Sequence, residues 1–257
     1  MTINLSDYED GKKYDGDYAD DLAAVQTRLA HIQVAHIVHK KRAVIMFEGW
    51  DAAGKGGIIQ RLTALWDQRN YEVFPISAPT NEEKTHDFLW RFRNRLPKSG
   101  DIAVFDRSWY GRVLVERVEG YATPEEWDAA YGEINAFEAE LKAAGITLVK
   151  LFVHTTQAEQ DRRLRDRLDD PWKRWKTGLD DFRNRAKRAA YLDAMHAMFA
   201  RTDTGDAPWA VIDGNSKKAA RIAALTVIAD RLEAAVPMDP PPADAEVLTA
   251  ARAAGVI

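Results

Sequence analysis

The apolar run Ala43 to Phe47 (AVIMF) leads, one residue on, into Gly49-Trp50-Asp51-Ala52-Ala53-Gly54-Lys55-Gly56, and Ile58 to Trp66 follows with helical character. A short unbroken apolar run with β-branched members is the pattern of a strand covered on both faces, as in a parallel sheet. The glycine-rich stretch fits G-x-x-x-x-G-K between a strand and a helix. In that setting glycines let backbone N–H groups converge on phosphate oxygens, the helix N-terminus adds partial positive charge, and the lysine reaches a terminal phosphate. Gly49, Ala52, Ala53, Gly54, Gly56 and Gly57 are therefore candidate phosphate-binding positions, with Lys55 as a catalytic cation. A ligand-free Gly-rich turn is the competing reading, and the flanking strand and helix argue against it.

Similar runs recur at Tyr71–Ile76, Ile102–Phe105, Ile146–Val153 and Trp209–Ile212, separated by segments long enough for helices. Such alternation predicts an α/β fold with a parallel sheet. Leu22, Val25, Leu29 and Ile32 lie on one helical face and predict a lead-in helix. No repeat is visible, so one domain over 22–235 is expected. Residues 1–21, with seven acids against two bases, are expected to form a mobile acidic arm; 236–257, with four prolines and then an Ala-rich stretch, are expected to form a tail.

The residue after Lys55 is Gly56, where most P-loop enzymes carry a Ser or Thr that holds magnesium. Asp51 departs in the opposite sense. A carboxylate among phosphates repels them unless a divalent cation lies between, so Asp51 is expected to hold Mg²⁺ or orient the nucleophile; capping the next helix is the plainer alternative. The run Ile102–Phe105 ends in Asp106-Arg107-Ser108-Trp109-Tyr110. A strand-terminal Asp is the second carboxylate of a P-loop site, and Arg107 would face the phosphates with its planar fork. Arg112 and Arg117 are further candidates, with a solvated helix face paired to Glu116 or Glu119 as the alternative.

The stretch Glu159–Arg188 holds eleven bases and seven acids and is broken by Asp170-Pro171. Arg163 and Arg167 are four apart and share a helix face. With Lys173 and Lys176 they would form a basic lid over the phosphates, against the alternative of a salt-bridged surface helix. The histidines near the end of the lead-in helix lack metal-ligand spacing. Trp109, Tyr110, Tyr121 and Trp127 are expected to serve core packing rather than base stacking.

The chain has no cysteine, which excludes disulfides, thiolate metal sites and cysteine nucleophiles. Its start is polar, with no leader-like or membrane-spanning run, so a cytoplasmic place without nucleic-acid or membrane partners is expected. The net charge of −4 taken alone disfavours a polyanion, but residues 1–21 carry −5 of it and leave the rest at +1.

Three ordered motifs, Gly49-x-Asp51-x-x-Gly54-Lys55-Gly56-Gly57, Asp106-Arg107-Ser108-Trp109-Tyr110-x-Arg112 and Asp170-Pro171-x-Lys173-x-Trp175-Lys176, resemble the polyphosphate kinase 2 family over residues 22–232. The resemblance implies a P-loop kinase fold: a five-stranded parallel sheet, flanking helices and a helical lid. It also implies phosphoryl transfer between inorganic polyphosphate and adenine or guanine nucleotides, with Asp51 and Asp106 organising Mg²⁺ (Mn²⁺ as a substitute) and Lys55 and Arg107 binding phosphate. A homo-oligomer is expected. The segment Trp109–Val118 resembles the AMP-using branch, whose members often carry two fused copies of the domain. A same-fold ATP-dependent kinase and a phosphate binder without turnover are the rival readings.

Overall fold

The computed structural model describes residues 3–257; Met1 and Thr2 lie outside the described residues. In chain order the elements are α1 (Tyr18–Val38), β1 (Arg42–Gly49), α2 (Lys55–Leu62), β2 (Tyr71–Pro75), α3 (Trp90–Arg93), β3 (Ile102–Asp106), α4 (Val115–Glu119) and α5 (Pro124–Ala143). There follow β4 (Ile146–His154), α6 (Gln157–Asp169), α7 (Leu179–Ala186), α8 (Arg188–Thr202), β5 (Trp209–Asp213), α9 (Lys217–Glu233) and α10 (Ala245–Ala253). The five strands form one parallel sheet in the order β2-β3-β1-β4-β5.

Each apolar run becomes a strand because only a fully covered strand can hide an unbroken series of such side chains. Central β1 is buried from Ala43 onward, whereas edge strand β2 is half exposed and ends on Pro75, a residue that suits an edge because it donates no ladder bond. Helices α1, α2 and α9 pack together against the sheet; α5 and α8 form the other layer. The start of α5 is fixed by a capping box, in which Thr123 and Glu126 satisfy each other's backbone N–H, with Pro124 at the first helical position.

The core contains one buried ionic knot. Lys150 Nζ on β4 donates to Glu138 Oε2 at 2.8 Å, Tyr110 Oη at 2.9 Å and the Thr202 carbonyl at 2.8 Å. Trp109 Nε1 and Tyr110 Oη in turn donate to Glu138 Oε1. Trp109 and Tyr110 are thus core residues, and the knot anchors the loop that leaves β3. Tyr121 is exposed.

The expected mobile arm is corrected by its packing. Leu5 is buried against the domain, the Gly11 N–H donates to Asp213 Oδ2 at 2.7 Å, and Glu9 pairs with His154. Asp17 caps α1, which starts four residues before the first apolar residue of its stripe, Leu22. At the other end α10 buries no residue.

Candidate active site

Parallel strands open all their C-terminal ends on one edge, where α/β proteins bind ligands. The register sets Phe47 of β1 beside Asp106 of β3, so the glycine loop after β1 and the Asp106-Arg107 turn share one crevice. The ladder runs one step past β3, with the Arg107 N–H donating to the Phe47 carbonyl at 2.9 Å. Arg107 then takes φ +69° and Ala52 φ +61°, left-handed conformations that cost a side-chain-bearing residue on the order of 1–3 kcal/mol each. Such strain collects at sites where backbone shape is held for a ligand. Gly49, at φ +129°, is required by close approach: a Cβ there would meet the Val153 carbonyl oxygen at 2.1 Å. Gly56 has open space where its Cβ would be.

Lys55 is folded back on the loop, donating to the Gly49 carbonyl at 2.8 Å and the Trp50 carbonyl at 3.0 Å. Burial and then the Arg107 charge push its ammonium below the ordinary lysine value. One oxygen of the Asp51 carboxylate accepts from Arg107; the other accepts from Asn184 Nδ2 at 2.9 Å. Burial alone would raise this carboxyl, but Arg107, Lys55 and Asn184 hold it below its usual value. Glu48, missed in the sequence, is buried and ties the two halves of the crevice together by accepting from Ser108 N and Oγ, both at 2.8 Å. Burial pushes its carboxyl up.

Arg163 corrects the lid expectation. Its side chain is 3% exposed and lies under the loop, donating to the Ala52 carbonyl at 3.1 Å, the Ala53 carbonyl at 2.6 Å and the Gly214 carbonyl, while its Nε meets Glu159 Oε1 at 2.6 Å. Because the peptide is trans, drawing the Ala53 carbonyl down turns the Gly54 N–H to the opposite side of the loop. Arg163 is a strut for the loop. The reason is geometric: α6 is still packed on the domain at this point, and only its far end projects.

Arg112 and Arg117 are also corrected as free phosphate ligands. Arg112 pairs with Glu116 at 3.1 Å and lies 4.9 Å from the Phe88 ring centre; Arg117 donates to Tyr131 Oη at 3.0 Å and stacks 4.2 Å over Trp127. Each guanidinium is engaged by an aromatic face and one polar partner, although Arg112 Nε is buried without an acceptor.

A cavity of about 230 Å³ opens beside the loop, floored by Ala52 to Gly54, Gly57 and Arg163. Arg167, Lys173 and Lys176 come to it from α6 and the following turn, Lys217 and Arg221 from the start of α9, and Asp166 is its one acid. Lys217 and Arg221 were not anticipated. The available signal was a basic (i, i+4) pair in the first turns of a helix whose cap, Ser216, makes no side-chain bond. Burial and then the Arg163 charge push Lys217 below its ordinary value. Helix α7 is tied to α4 through Glu119, which pairs with Arg183 at 3.3 Å and with Lys187, just after α7, at 2.8 Å.

For a divalent cation, the described residues contain no cluster of three or more acidic or histidine ligands. Magnesium, however, is commonly held by one or two carboxylates together with substrate phosphates and water. Asp51 and Asp106 supply two carboxylates to the crevice; the two Asp51 oxygens accept from Arg107 and Asn184, so a cation there would take the place of one of those donors, and Asp106 closes the adjacent strand.

A sequence model described as Polyphosphate kinase 2 matches residues 12–240. The chain belongs to the polyphosphate kinase 2 family. Family membership accounts for the P-loop kinase fold, and solved members superpose closely. Polyphosphate Kinase 2 from Arthrobacter aurescens aligns with TM-score 0.89 and 36% identity over 98% of this chain and 93% of that one. A putative polyphosphate kinase 2 from Pseudomonas aeruginosa aligns with TM-score 0.85 and 44% identity over 91% of this chain and 49% of that one. Among curated relatives, a polyphosphate:AMP phosphotransferase from Pseudomonas aeruginosa is 45% identical over 86% of this chain, and a GDP-polyphosphate phosphotransferase from Mycolicibacterium smegmatis is 38% identical over 87%. The chain spans 45% of the first and 79% of the second.

Proposed function

We propose that this family member transfers the terminal phosphoryl group of inorganic polyphosphate to an adenine or guanine nucleotide, with AMP the favoured acceptor. The observation that carries the reading is the basic cavity against the glycine loop. Its cations come from three separate segments and include Lys217, whose ammonium is disfavoured by burial and by its basic neighbours, so a bound polyanion would relieve the mutual repulsion. The AMP preference is supported by the relative of 45% identity that acts on that nucleotide.

Lys55 and Arg107 bind the terminal phosphate and its neighbour, and the N–H groups of the loop, propped by Arg163, cradle their oxygens. Asp51 and Asp106 would hold Mg²⁺, or Mn²⁺ in its place, which supplies charge neutralisation between the two polyanions. An acceptor phosphate oxygen, already ionised, attacks the terminal phosphorus in line. The bond to the bridging oxygen breaks, and that oxygen leaves with its electron pair on the shortened chain. No general base is needed, so positioning and charge do the catalysis. The segment from Arg167 to Arg183 acts as a lid that excludes water. Copies of the chain are expected to associate as a homo-oligomer.

The test is a transfer assay with polyphosphate and Mg²⁺ against AMP, ADP, GMP and GDP in turn. Formation of ADP from AMP is the expected result. Turnover only with ATP as donor would favour the same-fold kinase, and binding without product a non-catalytic role.

A further inference from the structure

Trp50 lies between the phosphate-binding residues of the loop and the docked N-terminal segment, and its indole is buried. Its Nε1–H donates to His154 Nδ1 at 2.9 Å, while His154 Nε2 stands 2.9 Å from Glu9 Oε1. An indole nitrogen can only donate, so Nδ1 is the bare nitrogen of the imidazole and Nε2 carries the proton that Glu9 accepts. The ring is fully buried, and burial pushes it below its ordinary value, which keeps it neutral. Glu9 is itself fixed from both sides, by buried Leu5 and by the Gly11 N–H bond to Asp213.

A face of the Trp50 ring is also covered. The Arg188 guanidinium sits 4.0 Å from its ring centre and donates to Gln160 Oε1 at 3.1 Å, and Gln160 Nε2 donates to the Asp51 carbonyl at 3.1 Å. The residue that precedes Asp51 is therefore held at its indole N–H by a histidine whose tautomer a carboxylate selects, and at its ring by a cation linked through Gln160 to the Asp51 carbonyl. A carboxylate that fixes a histidine tautomer fixes its plane and the direction of its remaining lone pair.

We propose that Glu9 and His154 are positioning residues for phosphoryl transfer: Glu9 sets the tautomer and plane of His154, His154 sets Trp50, and Trp50 sets the orientation of the adjacent Asp51. The kinetic part of this inference rests on the transfer reading above; the structural part does not. It gives the acidic segment a task in the active site.

Glu9→Ala removes the acceptor, whereas Glu9→Gln keeps an amide oxygen that can still take the Nε2 proton. His154→Asn keeps an acceptor for Trp50 but cannot reach Glu9. Glu9→Ala is expected to lower kcat about tenfold with KM for both substrates within about twofold, since misplacement of a catalytic group acts mainly on the transition state. Glu9→Gln recovers kcat to within about threefold of wild type, and His154→Asn resembles Glu9→Ala. Hydrogen–deuterium exchange of the peptide covering residues 49–54, measured without substrates, rises in Glu9→Ala and not in Glu9→Gln. Unchanged exchange in Glu9→Ala, or equal losses in the Ala and Gln variants, would overturn the relay. If the wild-type protein transfers phosphate to no acceptor, the exchange measurement still decides the relay, so the two failures are told apart.

Discussion

Replacing Arg163 by Met separates a strut from a lid base. The substitution keeps the length of an apolar stem and deletes the guanidinium that serves the Ala52, Ala53 and Gly214 carbonyls and Glu159. Glu159 retains Arg162 at 2.7 Å, so the cost falls on the three carbonyls. A buried acceptor left unmatched costs about 1–3 kcal/mol, and relaxation of the loop recovers part of it, giving a loss of about 4 kcal/mol. At about 3 °C per kcal/mol for a domain of this size, the melting temperature falls by ~12 °C. Arg167→Met is the control. That residue shares the helix face but reaches only the Lys176 carbonyl at 3.2 Å and Asp181 at 3.8 Å. Its loss should cost under about 1 kcal/mol and raise the KM for polyphosphate instead. Thermal melts and urea midpoints of both variants, with transfer kinetics alongside, make the comparison. An Arg163→Met protein that melts within about 2 °C of wild type while losing activity would refute the strut.

Asp106→Asn is expected to lower kcat by ~10³-fold with unchanged melting, and Lys55→Ala by a similar factor with a lowered melting temperature because the Gly49 and Trp50 carbonyls lose their donor, read in the AMP transfer assay and thermal melts; near-normal turnover in the Asn variant would remove Asp106 from the metal site. Asp51 sits below its usual pKa, so its stabilising contribution is complete above about pH 4 and is lost as the pH falls through its lowered folded value. Urea midpoints of wild type and Asp51→Asn should therefore converge on acidification below about pH 4, and a widening gap would contradict the assignment. Arg221→Ala removes one charged contact from the cavity and should raise the polyphosphate KM about tenfold while weakening its dependence on salt. A KM that rises only for the nucleotide would assign this wall of the cavity to the acceptor.

Strands and the loop were legible because their signals are local: an unbroken apolar run has one burial solution, and a glycine loop between strand and helix has one chemistry. The side of a helix that meets the domain is not local. Arg163 and Arg167 carry the same (i, i+4) signature, and only the point at which α6 leaves the domain makes one a strut and the other a cavity base. Lys217 and Arg221 escaped notice for the same reason, since topology alone brings the start of α9 to the loop. The acidic segment is dominated by its charge, and the apolar residues that dock it, buried Leu5 and partly buried Ile3, are outweighed by seven carboxylates.

The two glycines at the ends of the loop have opposite mutational fates. Position 49 is closed to every side chain by the Val153 carbonyl, so an inactive Gly49→Ala protein reports a wedge driven between β1 and β4 and says nothing about phosphate. Position 56 has open space around its missing Cβ. A single Gly56→Ser change would give this loop the hydroxyl that most P-loop enzymes use, beside a carboxylate they lack. The hydroxyl is therefore missing by divergence of chemistry rather than by want of room, and a protein carrying both groups is one substitution away.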